Sequence, residues 1–182
     1  MRVISGDVGG RRLKAVPGSG TRPITDRVKE AVFSIIASEL EGAAFLDLFA
    51  GTGAVGIEAL SRGASRATFV ESDRRAVAVL VGNLQSTGLA DKAVVVRDDV
   101  FRYLRATREV FDLVYVAPPQ YQGLWKQTLL ALDRDDSPAG GLVIVQIHPK
   151  ESESLGLAHL ALEDSRRYGS TQVLFLRRLA ET

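Results

Sequence analysis

After residue 40 the chain alternates short apolar runs of strand length with amphipathic stretches of helix length, and turn residues separate them. The runs AAFLDLF (43–49), RATFVE (66–71), AVVVR (93–97), DLVYVA (112–117) and LVIVQI (142–147) read as strands. Helices fit between them at about 54–62, 73–86, 99–105 and 122–132, with Gly63 in a C-terminal cap position after the first. Near-continuous apolar strands that alternate with helices predict an α/β fold with a mostly parallel sheet covered on both faces.

The tail LALEDSRRYGSTQVLFLRR adds two β runs about Tyr168-Gly169, which predicts an antiparallel hairpin at one edge of a seven-stranded sheet. Ahead of the sheet, Val28, Val32, Ile35, Ile36 and Leu40 form one stripe of an amphipathic helix with Thr25 as N-cap. The first sixteen residues, RVIS and RRLKAV around GDVGG, read as a small β-hairpin. No repeat or dividing linker interrupts the chain. One domain over 1–182 is expected, with 1–20 as a basic hairpin extension and 21–182 as the core.

Composition adds exclusions. At 182 residues, with 46% apolar and 25% charged, the chain can bury a sizeable core. It has no cysteine, which excludes disulfides and thiolate metal sites. Two isolated histidines, His148 and His159, read as structural, so no metal is expected. The start lacks the apolar run of a signal peptide, and no stretch approaches the ~20 apolar residues that span a bilayer. A soluble cytoplasmic protein is the expectation.

Net charge is only +1, but it is unevenly spread. Residues 1–30 carry seven basic side chains against three acidic ones, a local net of +4. Such a flank is either a solvated face or a set of guanidinium forks for phosphates.

The segment FLDLFAGTGAVGIEAL is a strand, a glycine turn and a helix, at the place where doubly wound sheets bind nucleotide-like ligands. Gly51, Gly53 and Gly56 satisfy G-x-G-x-x-G, and Glu71 follows Gly51 by 20 residues, where a ribose-binding acid belongs. Taken alone, that spacing suits a nicotinamide dinucleotide and an oxidoreductase. Asp47 shifts the balance, because a carboxylate at the mouth of the loop repels a pyrophosphate but orients an ammonium group or the loop amides. The pattern D-x-F-x-G-x-G is characteristic of S-adenosyl-L-methionine-dependent methyltransferases, with Glu71 on the ribose and Asp99 beside the adenine. Helix capping is the competing role for Asp47 and Asp99.

The strand FDLVYVA then ends in Pro118-Pro119. An X-Pro-Pro step holds the chain extended and removes two N–H donors, which leaves a rigid row of carbonyl acceptors. Beside a sulfonium methyl group those acceptors can hold an exocyclic amine, a task of orientation. An aromatic that follows can stack on an extruded base. This is the logic of the (D/N)-P-P-(Y/F) motif of amino-methyltransferases that act on nucleic-acid bases.

Across nearly its whole length the chain resembles the RsmD-type methyltransferases, which modify guanine N2 in small-subunit ribosomal RNA. The resemblance rests on TRPITDRVKEAVFSII (21–36), LDLFAGTGAVGIEALSRGA (46–64), FVESDRRA (69–76), FDLVYVAPP (111–119) and RRYGSTQVLF (166–175). It implies a Rossmann-like seven-stranded sheet with S-adenosyl-L-methionine held by Asp47, Phe49, Ala50, Gly51, Gly53, Glu71, Ser72, Asp99 and Val100. Arg11, Arg12, Lys14, Arg22 and Arg27 would face the RNA, within an assembled or assembling 30S subunit, and the protein would act as a monomer. The reacting base would sit on Ala117, Pro118, Pro119, Gln120 and Tyr121, whereas Phe101 and Trp125 are expected in the core.

The chain departs from the family pattern at one important place. Ala117 stands where the family has aspartate, and Gln120 where it has the aromatic, with Tyr121 one place later. A missing general base costs ~10²-fold or more in rate. A guanine-N2 methyltransferase is the expected activity, and a weak or inactive RNA-binding protein of the same fold is the alternative.

Overall fold

The structure, a computed structural model, describes residues 1–18 and 23–181. Its core is a seven-stranded sheet of β1 (Ala44–Leu48), β2 (Arg66–Glu71), β3 (Ala93–Arg97), β4 (Phe111–Val116), β5 (Ala139–Ile147), β6 (Leu160–Tyr168) and β7 (Thr171–Arg178). The spatial order is β3-β2-β1-β4-β5-β7-β6. The first five strands are parallel, and β7 pairs antiparallel with both β5 and β6. The strand order reverses between β1 and β4, so the chain leaves these neighbours toward opposite sides and opens a crevice at their C-terminal ends.

Among the described residues six α-helices accompany the sheet: α1 (Asp26–Ile35), α2 (Ala37–Leu40), α3 (Ala54–Ser61), α4 (Arg74–Thr87), α5 (Val100–Ala106) and α6 (Leu124–Leu132). The period-2 alternation of the strands divides the core into two layers. Phe45, Leu113, Tyr115 and Ile144 pack with α1, α3 and α4, while Leu46, Val114, Val116 and Val145 pack with α5 and α6. Trp125 is buried as expected, but Phe101 is only half-buried on the first turn of α5. No helix among the described residues is long and apolar enough to cross a membrane.

Three element boundaries differ from the sequence reading. The N-terminal stripe runs through Val28, Val32, Phe33 and Ile36, and Ile35 faces solvent. Ile36 lies outside helical geometry and ends α1; the buried face is centred on Val28, Lys29, Val32 and Phe33, which leaves Ile35 at its edge, and Phe33 stacks on Phe45 at 6.4 Å. The fifth strand begins three residues early because Gly140 and Gly141 let it run close beside β4: a Cβ on Gly141 would sit 2.4 Å from the Asp112 carbonyl oxygen. The N-terminal hairpin has contracted to one antiparallel bridge, Arg2 with Arg12.

That small hairpin is nevertheless firmly attached. Val3 and Leu13 are buried in the α1/α3/α4 layer. Glu58 of α3 is fully buried and accepts from the amides of Ile4 (2.9 Å) and Ser5 (3.2 Å) and from Arg62 Nε (2.8 Å). Its other cationic partner is Lys29 of α1, 1% exposed, with Nζ 3.5 Å from the carboxylate and 2.5 Å from the Arg2 carbonyl. Burial lowers the Lys29 pKa, and the Glu58 charge opposes that shift. Gly6 lies so close to α3 that a Cβ would fall 1.9 Å from the Ser61 carbonyl oxygen.

Removing one member of a buried ion pair strands the other charge. Glu58→Gln is therefore expected to lower stability by about 3 kcal/mol in urea unfolding, with far less effect from removing the exposed Arg2–Asp26 pair.

Candidate active site

The glycine turn leaves β1 through three left-handed residues, Phe49 (φ 60°), Gly51 (φ 56°) and Gly53 (φ 80°). Phe49 is not a glycine, so this backbone stores roughly 1–3 kcal/mol of strain. The glycines have separate reasons. A Cβ on Gly53 would lie 2.1 Å from Leu80 of α4, and one on Gly56 would lie 2.3 Å from the Phe69 ring. A Cβ on Gly51 would meet nothing within 4 Å, so its side faces open space.

Two carboxylates fix the turn. Glu71, at the end of β2, accepts from the Gly51 amide at 2.8 Å with one oxygen and from the Asp73 amide at 2.9 Å with the other. Each oxygen keeps a lone pair for a hydroxyl donor. Asp47 is 2% exposed and accepts from the Gly56 amide at 3.0 Å. Burial pushes its carboxyl up to about 8, the Gly56 hydrogen bond pulls the other way, and the Glu71 charge adds to the rise. Gly56 lies in the first turn of α3, so the bond seen here is the helix-capping role that the sequence left open for Asp47.

The other expected cofactor residues follow the ends of β1, β2 and β3. Ala50 is buried and its amide bonds the Val70 carbonyl at 3.0 Å, and Ser72 is exposed beyond Glu71. Asp99 caps α5, taking the amides of Phe101 (2.9 Å) and Arg102 (3.0 Å). Val100 is buried in the α5/α6 layer.

The proline step starts beside this loop. In register, Leu48 of β1 pairs with Val116 of β4, so Phe49 and Ala117 leave adjacent strands side by side. Ala117, Pro118 and Pro119 are half-buried, and Gln120 and Tyr121 are exposed. Tyr121 is also left-handed (φ 61°), and its amide donates to Glu151 Oε1 at 2.8 Å. Its ring lies 5.4 Å from that of His148, tilted by 39°. His148 caps the turn Pro149–Glu151 through Nδ1, which accepts from the Lys150 amide at 3.1 Å. That structural role was expected of His148, but its neighbour Tyr121 and the part played by Glu151 were not. The available signal was the position of QIHPKE at the end of the strand next to the proline step. Beneath it, the buried Tyr115 hydroxyl donates to Gln146 at 2.5 Å, and its pKa is raised by burial and then by the Asp47 charge.

The basic residues Arg11, Arg12, Lys14 and Arg27 are exposed, while Arg22 lies outside the described residues. Arg11 donates to the Ser86 carbonyl at 3.1 Å. The backbone of Lys14 is held by Asn83 of α4, which accepts from its amide at 2.8 Å and donates to its carbonyl at 3.1 Å. Asn83 also donates to the Thr52 carbonyl at 3.0 Å, and it is 1% exposed. This buried link between the basic flank and the glycine turn was not read from the sequence.

A glycine turn at the first strand, an acid at the end of the second and an antiparallel edge on an otherwise parallel seven-stranded sheet define a Rossmann-like S-adenosyl-L-methionine-dependent methyltransferase. The chain is similar in structure to the "Putative methyltransferase yhhF" of Escherichia coli, with a TM-score of 0.87, 33% identity and coverage of 100% of this chain and 99% of that one. The family model described as "Conserved hypothetical protein 95" matches residues 1–177, and the chain belongs to that family, the RsmD-type methyltransferases. Among named relatives, the "Putative rRNA methyltransferase YlbH" of Bacillus subtilis is 39% identical over 98% of this chain and 99% of its own length. The "Ribosomal RNA small subunit methyltransferase D" of Escherichia coli K12 is 40% identical over 73% of this chain and 67% of its own.

The Asp47 geometry sets a pH dependence. The folded protein keeps the Asp47 proton up to about pH 8, whereas the unfolded chain releases it near pH 4. Across that window the folded state binds the extra proton, so this stabilisation is present at low pH and is lost as pH rises through the folded value. Asp47→Asn, which retains an acceptor for Gly56, is expected to flatten the fall in stability between pH 5 and 8. Urea midpoints of both proteins across that range check it.

Proposed function

We propose that this methyltransferase transfers a methyl group from S-adenosyl-L-methionine to the exocyclic N2 of a guanine in small-subunit ribosomal RNA. The observation that carries the reading is the adjacent exit of the glycine turn and the proline step from β1 and β4. A cofactor held on the turn and an amine held on the step would thereby lie within one crevice. The open side of Gly51 and the spare lone pairs of Glu71 fit a nucleoside ligand. When bound, the cofactor supplies an electrophilic methyl on a sulfonium.

The residues of the chain then have distinct tasks. Gly51, Gly53, Asp47, Phe49 and Ala50 shape the turn, and Glu71, Ser72, Asp99 and Val100 form the nucleoside side of the pocket. Ala117, Pro118 and Pro119 present carbonyl acceptors, the two prolines without N–H groups of their own, and the Gln120 side-chain oxygen accepts from the amine. Tyr121 stacks on the extruded base. These contacts aim the amine lone pair at the methyl group, which is catalysis by orientation. Position 117 has no carboxylate, so the proton of the methylated amine leaves to solvent. Arg11, Arg12, Lys14 and Arg27 engage phosphates, and this short flank docks on an assembling or assembled 30S subunit. The protein acts as one domain and as a monomer, in the cytoplasm.

The non-catalytic alternative, cofactor binding without turnover, rests chiefly on Ala117. The glycine turn is common to both readings, and the rRNA methyltransferase names of relatives 39–40% identical to this chain speak for turnover.

Labelled S-adenosyl-L-methionine and small ribosomal subunits lacking the modification provide the test, with nucleoside mass spectrometry as the readout. The natural chain is expected to form N2-methylguanosine, and Ala117→Asp to accelerate transfer by ~10²-fold or more by restoring a general base. Methylation by the variant alone would overturn the reading of a working enzyme. Equal transfer to bare RNA and to subunits would overturn the subunit reading.

A further inference from the structure

The segment RRYGS (166–170) has no task in the proposed reaction. It forms the tip of the hairpin between β6 and β7, where Tyr168 pairs with Thr171 across the turn and Gly169 is left-handed (φ 61°). β7 runs antiparallel to β5, and β6 antiparallel to β7, so β6 ends at the same end of the sheet as the parallel strands that open the crevice. Register gives the height of the tip. Val116 of β4 pairs with Val145 of β5, and Pro118 and Ile147 each follow two residues later. Ile147 pairs in turn with Gln172 of β7, and Gln172 with Arg167 of β6. One row therefore runs from the proline step to Arg167, across three inter-strand spacings or roughly 14 Å.

Arg166 and Arg167 are exposed, and strand alternation sends them to opposite faces of this edge strand. Each is held within the hairpin through Nε: Arg166 donates to Asp164 Oδ2 at 2.9 Å, and Arg167 to the Gly169 carbonyl at 3.2 Å. Among the described residues the terminal nitrogens of both guanidinium groups have no acceptor, and these are the nitrogens that fork onto a phosphate. The other acids nearby are engaged, Glu163 by Arg177, Glu153 by Lys126, and Glu151 by the amides of Tyr121 and His148. The backbone beneath is fixed, since Tyr168 packs against the α1/α3/α4 layer and Gln172 Nε2 donates to Ser165 Oγ at 2.9 Å.

The basic flank lies on the other side of the crevice. Arg11 and the backbone of Lys14 are bonded to Ser86 and Asn83 of α4, which packs on β2 and β3. In the sheet order β3 and β2 stand to one side of the β1/β4 crevice, and β5, β7 and β6 to the other.

We infer that the β6–β7 hairpin is a second phosphate-binding margin, made by Arg166 and Arg167, and that RNA lies across the crevice held by cations on both sides. The inference rests on the proposed action on RNA and adds to it a contact opposite the flank. The hairpin is too far from the proline step to hold the reacting base, so it engages the backbone of neighbouring nucleotides. Such contacts position a strand without reading its sequence. Two separated anchors also set the strand's direction, which a single flank leaves free to pivot.

The first test needs no turnover. Fluorescence anisotropy of a labelled oligouridylate, with S-adenosylhomocysteine present, is followed against salt for the full chain and three double variants. A phosphate contact on a single strand contributes about 0.7 to the slope of log K against log salt. Arg166→Gln with Arg167→Gln is therefore expected to reduce the slope by about 1.4 and to weaken binding about tenfold at low salt. Arg166→Lys with Arg167→Lys, which keeps both charges, is expected to retain the slope. Arg105→Gln with Arg108→Gln removes the same charge from exposed positions at the opposite end of the sheet and is expected to change binding less than twofold. An unchanged slope in the hairpin glutamine variant overturns the inference, as do equal losses in the two glutamine variants.

The second test is methyl transfer to unmodified small subunits. The hairpin glutamine variant is expected to raise KM for subunits about tenfold, with kcat within twofold and S-adenosylhomocysteine affinity unchanged. A KM within twofold of the natural chain overturns the second margin even where methylation proceeds. A slope that depends on Arg166 and Arg167, in a chain that transfers no methyl to subunits, sustains the margin while the proposed function fails.

Discussion

A carboxyl group that water cannot reach holds the centre of this molecule together. Asp47 lies on the middle of the sheet and takes the Gly56 amide from the first turn of α3. Its bond ties the strand that enters the glycine turn to the helix that leaves it. The left-handed residues between them are thereby closed at both ends. Burial makes the charge costly, and the group responds by holding its proton to about pH 8. The turn is anchored by an acid that is largely neutral in neutral solution.

A second buried acid does comparable work for the flank. Glu58 gathers two N-terminal amides, Arg62 and Lys29, so that the first residues, α1 and α3 share one polar centre inside an apolar layer. The small hairpin has only one β-bridge, and its position depends on Glu58 and on the close contact at Gly6. The backbone beneath the basic side chains of this short segment is thereby held in place. Rigidity of that kind lowers the ordering cost of binding a polyanion.

The sheet was legible because buried parallel strands are written as apolar runs, and the glycines and prolines that end them are chemically explicit. Legibility failed where tertiary contact decides. Ile35 satisfies the helical stripe, but the face that packs is centred on Val28, Lys29, Val32 and Phe33 and leaves Ile35 at its edge. Gly140 and Gly141 look like turn residues, yet they are strand residues that allow close passage beside β4. In the site, Asp47, Glu71 and Asp99 were legible as strand-end acids. Their partners were not, since an amide as hydrogen-bond donor leaves no mark in a sequence. His148 and Glu151 escaped because their significance arises only when β5 is laid beside β4.

Asn83 has a consequence for how such a chain can be altered. One buried amide group bonds the backbone of Lys14 on the basic flank and of Thr52 in the glycine turn. The two surfaces are therefore not separable modules. A flank transplanted from a relative would have to reproduce the path of the backbone at residue 14 as well as the charges, or the donor that steadies the glycine turn would lose its alignment. Exchange of this flank is constrained by main-chain geometry at a single asparagine that is itself buried from solvent.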